Sequence, residues 1–372
     1  MSRPEAPALV DHHCHSVVAA DLADDALAAL LTESDRPPAP GCSPFDSALG
    51  LAVRRWCPPV LGLPVHAPAV DYLARRRELG AAEATARLLA AAGLDTLLVD
   101  TGLTAAAGLP LLPPAELAAL AGASVREVVR LETVAGSVTA GAEDWPGAVA
   151  EALAAAARGA VAVKSVLAYR HGLAAPAHRP ARSAVVAAAG ARLRGGHGRL
   201  TDPVLLHHLL WTAVDVCAEL GLPLQLHTGF GDPDLTLHRA DPSLLTDFVR
   251  AAEPSGVPLV LLHCYPYHRQ AAWLAQAFPT VFTDLGLTAS YTGPRVAEVL
   301  GEMLELAPFG KLLFSTDAYG LPELFLVGTC QFRHGLAELL DRWQSDGACA
   351  AADAQRLAHS VAADNARRLY GL

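Results

Sequence analysis

The sequence predicts an α/β chain folded as a (β/α)8, TIM-like barrel, and three observations carry that prediction. Short apolar runs ending in polar residues occur eight times along the chain. Ala/Leu-rich amphipathic segments of helical length separate most of them. Five of the runs carry a histidine, lysine or aspartate near their C-terminal ends. Strand–helix alternation repeated in this way reads as a parallel sheet closed on itself and wrapped by helices. An open doubly wound sheet is the alternative.

The runs, in order, are ALVDHHCHSV (8–17), DTLLVDTGL (95–103), REVVRLET (126–133) and AVAVKSVLAYR (160–170), then LPLQLHTGFGD (222–232), PLVLLHCYP (258–266), TVFTDLGL (280–287) and KLLFSTDAYG (311–320). Each is rich in Val, Leu or Phe, as a strand buried on both faces must be. Between them, DWPGAVAEALAAAARG (144–159) enters on an acid and DPVLLHHLLWTAVDVCAELG (202–221) on Asp-Pro, both good helix starts. GPRVAEVLGEMLELAP (293–308) is a third helix of this kind.

Two segments are too long for a simple connection. Residues 18–92 contain a Pro/Gly-rich centre, ESDRPPAPGCSPF, and a charged helix candidate over 67–93. Residues 171–201 form an Arg- and Gly-rich loop. Both follow a strand, the first and the fourth, so both are expected at the C-terminal rim, where barrel active sites lie. The expectation is a single barrel domain over 1–372 with rim insertions that act as a lid or pocket wall, or stabilise an oligomer.

Composition limits the partners. The chain has 372 residues, 52% of them hydrophobic, so it can bury a large core. Its net charge is −10, which argues against a nucleic-acid partner. No run is long and apolar enough to span a membrane, and MSRPEAPALVDHH has no signal-peptide core. Seven scattered cysteines without a C-x-x-C pair fit a reducing cytoplasm rather than a disulfide framework. A small-molecule substrate and a homo-oligomer are the expected partners.

The strand-end residues carry the chemistry. His13 and His15 are two apart, so strand alternation puts both on one face, with His12 and Cys14 on the other. Lys164 lies within an apolar run and is expensive there unless paired. His227 and His263 end the fifth and sixth runs, and Asp317 the eighth. In a barrel these ends converge on one mouth, and imidazoles with a carboxylate suit a divalent transition metal. Tyr169 and Arg170 end the fourth run, and Arg170 has the fork to bind a substrate carboxylate. Glu132 ends the third run as a partner for Lys164 or Arg170, or as a strand cap. Asp232 follows a Gly-x-Gly turn that admits a ligand to the backbone. His268 and Arg269 start a helix near the mouth, where they touch substrate or merely decorate its first turn. Glu323 reads as solvent-exposed or as an amine selector. Cys14 and Cys264 read as buried packing residues and His12 as a structural donor.

The order H-x-H, K, H, H, D, with the stretches KSVLAYRHGL, LPLQLHTGFGD, LLHCYPYHRQAAWLAQAFP and LLFSTDAYGLPELFLVG, resembles the amidohydrolase superfamily and its amidohydrolase-2 branch. Within that branch it is similar to the amidohydrolase-like domain fused to glutamine-synthetase-like domains in FluG and nodulin-type proteins. The resemblance is strongest from Lys164 to Glu323, and the ending DNARRLYGL is similar to the last helix of many members. It implies metal ligands at His13, His15, His227 and Asp317, with His263 a second-metal ligand or a catalytic group. Lys164 stands where binuclear members carry a carbamylated bridging lysine. The implied cofactor is one divalent ion, Zn²⁺ ahead of Mn or Fe, with two ions as the alternative. The implied reaction is hydrolysis of an amide-type C–N bond, with a γ-glutamyl amide as the candidate substrate and Asp317, His263 and Lys164 as catalytic groups. Non-oxidative decarboxylation and a non-catalytic binding or regulatory barrel are the competing expectations.

Overall fold

The computed structural model describes residues 8–196 and 198–372. Residues 1–7, which belong to the stretch lacking a signal-peptide core, lie outside the described residues, as does His197 of the second insertion. Eight strands form one sheet in chain order. They are β1 (Leu9–Cys14), β2 (Leu94–Asp100), β3 (Ser124–Arg130) and β4 (Ala162–Ser165), then β5 (Leu224–His227), β6 (Leu259–Leu262), β7 (Val281–Asp284) and β8 (Leu312–Leu313). Every neighbouring pair is parallel. The seam between β8 and β1 is joined by single bonds: His12 N–H to Phe314 O at 3.2 Å, Asp317 N–H to His13 O at 3.0 Å and His15 N–H to Ala318 O at 2.8 Å. The sheet therefore curls into a barrel, and the open-sheet alternative fails.

The strands are shorter than the apolar runs predict, because the chain turns as soon as it reaches the polar residues. β3 stops at Arg130, where a helix begins (Leu131–Ser137). β4 stops at Ser165 and a single helical turn, Leu167–Arg170, follows. All residues of β1, β4, β5 and β6 are buried, as two-faced burial requires. Val10, Leu98, Val128, Val260, Leu262 and Leu313 fill the barrel floor against Ala363, Ala366 and Tyr370 of the C-terminal segment. Two larger apolar layers lie between the barrel and its helices.

The predicted helices form. Asp202 caps Pro203–Leu220 by accepting from Val204 N–H and Leu205 N–H at 2.9 and 3.1 Å. Asp144, by contrast, makes no side-chain cap for Trp145–Ala157. The charged candidate over 67–93 is two helices, Ala69–Leu79 and Ala81–Ala92, broken at Gly80, whose φ of +79° a helix interior cannot hold. Glu323, expected at the surface, is fully buried. Its Oε1 accepts from Arg76 Nε at 2.6 Å and from Tyr72 Oη–H at 2.8 Å, so it ties the first insertion to the helix Pro322–Ser345. Among the described residues no helix is long and apolar enough to cross a membrane.

Candidate metal centre

β1 presents its histidines in an unexpected way. Asp11 pairs with Leu97 and Cys14 with Val99, so three steps on β1 face two on β2. The extra residue is a β-bulge. It resets the alternation, and His12 turns into the barrel together with His13 and His15. The reading of His12 as outward-facing is thereby corrected, while Cys14 and Cys264 do lie in the outer apolar layers.

Below the mouth His12 belongs to a buried chain of bonds. Gln225 Oε1 accepts from His13 Nδ1–H at 2.9 Å. Gln225 Nε2 donates to His12 O at 3.0 Å and to Tyr370 Oη at 2.9 Å. Tyr370 Oη–H donates to His12 Nδ1 at 2.9 Å, and His12 Nε2–H to Asp284 Oδ2 at 3.0 Å. Asp284 also accepts from Ser315 Oγ–H and from His263 N–H, both at 2.5 Å. This assignment gives every donor an acceptor. It leaves His13 Nε2 as a lone pair facing the mouth. His15 is set similarly, its Nδ1–H donating to Asp100 O at 3.1 Å.

The lone pairs converge on Asp317. Its Oδ1 lies 3.3 Å from His13 Nε2 and 3.6 Å from His15 Nε2, and its Oδ2 lies 3.4 Å from His263 Nε2. Burial keeps the rings neutral: it drives His13, His227 and His263 well below the usual imidazole range and His15 down to about 3. Burial also lifts Asp317 to about 6, against the pull of His15 and Lys164. His263 Nε2 and Asp317 Oδ1 have no hydrogen-bond partner. Acceptors gathered around a shared space without protons to share are the donor set of a cation site. Their ligand atoms form two overlapping triads, His13–His263–Asp317 and His13–His15–Asp100. The residues fit a divalent ion.

Lys164 stands beside the second triad, with Nζ 3.1 Å from His13 Nε2 and 3.2 Å from Asp100 Oδ2. Burial lowers its pKa, opposed by Asp100. Asp100 also takes Arg130 in a two-point contact of 2.7–3.2 Å. Burial alone would raise Asp100, but Arg130 and then Lys164 hold it well below the usual carboxylate range. His263, Cys264 and Asp317 mark where the backbone is strained. His263, Cys264 and Asp317 have φ of +69°, +63° and +49°, a region that costs a non-glycine residue of order 1 kcal/mol or more. Gly286 permits the first of these, because a Cβ there would meet His263 Nδ1 at 2.7 Å.

The mouth opens into a cavity of about 220 Å³, whose walls include His15, Lys164, Tyr169, Arg170, His227 and Asp232. His227 is set apart from the triads; its ring centroid lies 4.6 Å from that of His263 and 4.4 Å from that of Tyr169, and its Nε2 has no partner. Tyr169 and Arg170 reach the cavity from the helical turn after β4, not from a strand end. Two expected residues do not arrive. Glu132 turns behind the wall and accepts from Ser165 Oγ–H at 2.6 Å and Val166 N–H at 3.0 Å, because β3 ended two residues earlier. Arg130 takes the place expected for it. His268 does start its helix, but its Nε2 binds Glu302 Oε2 at 2.6 Å and its ring stacks on Tyr265, away from the cavity. Arg269 is exposed near Glu305. The glycines before Asp232 admit protein rather than ligand: a Cβ on Gly229 would meet Tyr265 O at 2.4 Å, and one on Gly231 would meet Tyr169 Oη at 1.9 Å.

Sequence reasoning missed Asp100, Arg130 and Gln225, and also Glu33, which lines the cavity. Asp100 and Arg130 carried the same signal as Lys164, a charge at the end of an apolar run. Gln225 carried a weaker one, an amide inside a buried strand. Glu33, in the first insertion, carried none.

The geometry can be set beside known proteins. The amidohydrolase family model matches residues 10–372. The FluG protein of Emericella nidulans is 38% identical over 152 residues, 40% of this chain and 17% of that protein, so the chain spans a small part of that relative's length. Among solved structures, a chain assigned as a metal-dependent hydrolase from Lactobacillus casei is 27% identical, with a TM-score of 0.84 over 99% of this chain and 96% of that one. A glucuronate isomerase from Caulobacter crescentus, 15% identical with a TM-score of 0.64 over 98% of this chain and 91% of its own, shares the fold.

Proposed function

Because the chain belongs to the amidohydrolase family, we propose that it uses one divalent ion, Zn²⁺ in the first instance, to hydrolyse an amide-type C–N bond of a small molecule, a γ-glutamyl amide being the first candidate. The observation that carries this reading is the gathering of neutral His13, His15 and His263 around Asp317 with lone pairs left over. These four residues, with His227 beside them, are the candidates to hold the ion. When bound, it lowers the pKa of a coordinated water to about 7 and polarises a carbonyl.

The remaining work falls to the protein. Asp317 accepts a proton from the attacking water and passes it to the leaving nitrogen, so the C–N bond breaks as a C–O bond forms and the products are a carboxylic acid and an amine. Lys164, held by Asp100, lies next to His13 and is placed to share charge that develops on the carbonyl oxygen. Tyr169 packs over His227 and excludes water from one wall. The γ-glutamyl choice is supported by the resemblance to FluG-type domains.

The test is metal analysis of the purified protein followed by assay of γ-glutamyl amides and aromatic acids. Stoichiometric metal with amine release is expected. Release of CO₂ instead would replace hydrolysis by decarboxylation, and a metal-free protein with neither activity would sink both. Asp317→Ala should abolish turnover.

A further inference from the structure

The cavity above the metal centre holds an unusual distribution of unpaired charge. Four cations line it: Lys164, Arg130, Arg170 and Arg199. Lys164 and Arg130 are paired with Asp100, and Arg199 with Asp234. Among the described residues Arg170 has no carboxylate in ion-pair reach, and its Nε is buried without a hydrogen-bond partner. A guanidinium left in this state inside a cavity is a binding group awaiting an anion.

The acids show the complementary pattern. Glu33, from the first insertion, and Asp232, after β5, line the same cavity. Neither has a basic partner among the described residues. Glu33 accepts only from Tyr291 Oη–H, at 2.9 Å, and Asp232 only from Asp234 N–H, at 2.9 Å. Burial pushes Glu33 up to about 7, and Asp317 and Asp232 add like charge. Burial likewise raises Asp232. Arg199, whose charge pulls on Asp232, is already paired with Asp234, so neither acid has an ion-pair partner of its own among the described residues. Tyr169, neighbour of Arg170 in sequence, lines the same cavity with its ring on His227, whose buried Nε2 is also unpartnered.

We propose that this cavity recognises the head group of an α-amino acid, with its carboxylate on Arg170 and its ammonium at Glu33 and Asp232. The head group would then hang its side-chain amide over His13, His263 and Asp317. The placement of the amide rests on the hydrolase reading; the recognition of the head group does not. Each end is a charge-assisted contact of roughly 1.5–3 kcal/mol, about tenfold or more in affinity.

The experiment is calorimetric titration of the metal-reconstituted protein with L-glutamate, glutarate and 4-aminobutyrate. Glutarate lacks the ammonium, and 4-aminobutyrate lacks the α-carboxylate. L-Glutamate should bind about tenfold or more tightly than either. Arg170→Met should erase the preference over 4-aminobutyrate, and Glu33→Gln should reduce the preference over glutarate, Asp232 keeping part of it, each leaving the other preference standing. The wild-type series decides the matter even if a variant folds poorly. Equal binding of all three probes, or binding of none, overturns the proposal. So does a uniform loss across probes in both variants, the sign that Arg170 and the acids merely pair with one another. Amine release from γ-glutamyl amides is scored separately. The glutamate preference without amine release would overturn the hydrolase reading alone, and amine release without the preference would overturn the head-group reading alone.

Discussion

A leucine at position 225 would leave His13 Nδ1–H without an acceptor and let the ring swap its tautomer. Outer partners of metal-binding imidazoles are commonly worth 10–100-fold in metal affinity. Gln225→Leu should therefore weaken the metal by about that factor, read by chelator competition, while far-ultraviolet circular dichroism stays unchanged. Unaltered affinity would mean that Asp317 and the other rings set His13 without Gln225. Glu33 gives a second test at this scale. The folded protein keeps its proton up to about pH 7, whereas the unfolded carboxyl loses it near 4.5. Between those values the native state binds more protons, so this group's contribution to stability falls as pH rises. Glu33→Gln, which cannot ionise, should gain stability relative to the parent from about pH 5 to 8 and nothing below 4.5. Urea midpoints across pH would show it, and a difference constant with pH would contradict it. Single residues of the centre were legible where a polar type sat at the end of an apolar run, as at His13, Lys164, His263 and Asp317. The orientation of His12 was not legible, because a bulge has no signature in HHCH, and Glu33 was not, because nothing local says which point of a long insertion folds back over the mouth.

At the scale of elements the alternation of apolar run and helix gave the order of the strands, but not where they stop. The runs continue through Glu132, Tyr169 and Arg170 with unbroken composition. The chain leaves the sheet earlier because the ladder bonds end at Arg130 and Ser165. That difference of a few residues moves Glu132 behind the wall and carries Tyr169 and Arg170 onto a helical turn over the cavity. The contacts that tie the insertion after β1 to the barrel include one buried ion pair, Arg76 with Glu323, and the Tyr72 hydroxyl on the same oxygen. Removing one partner of such a pair leaves a buried charge alone, at about 3–5 kcal/mol. Glu323→Ala should lower unfolding free energy by about that much. Amide exchange should also quicken in Ala69–Leu79 more than in the helix Pro203–Leu220, which the pair does not touch. Equal acceleration in both would show that the insertion unfolds only with the barrel.

Across the whole molecule the first strand and the C-terminal segment meet at the barrel floor, and Tyr370 joins them to the metal centre. Its ring packs among Val10, Leu98 and Val128, while its hydroxyl receives a bond from Gln225 and gives one to His12. Phenylalanine at this position keeps the packing and deletes both bonds. Each orphaned buried group costs about 1–3 kcal/mol, and the loss reaches His13 only through Gln225, which still donates to His12 O. Tyr370→Phe should therefore lower stability measurably and weaken the metal less than Gln225→Leu does. In the double variant the two effects on metal affinity should fall short of additive, since both act through one chain of bonds. The metal-affinity cycle is the measurement. Full additivity would mean that floor and mouth are independent parts of the barrel, and the bonded chain through Gln225 would then serve stability alone.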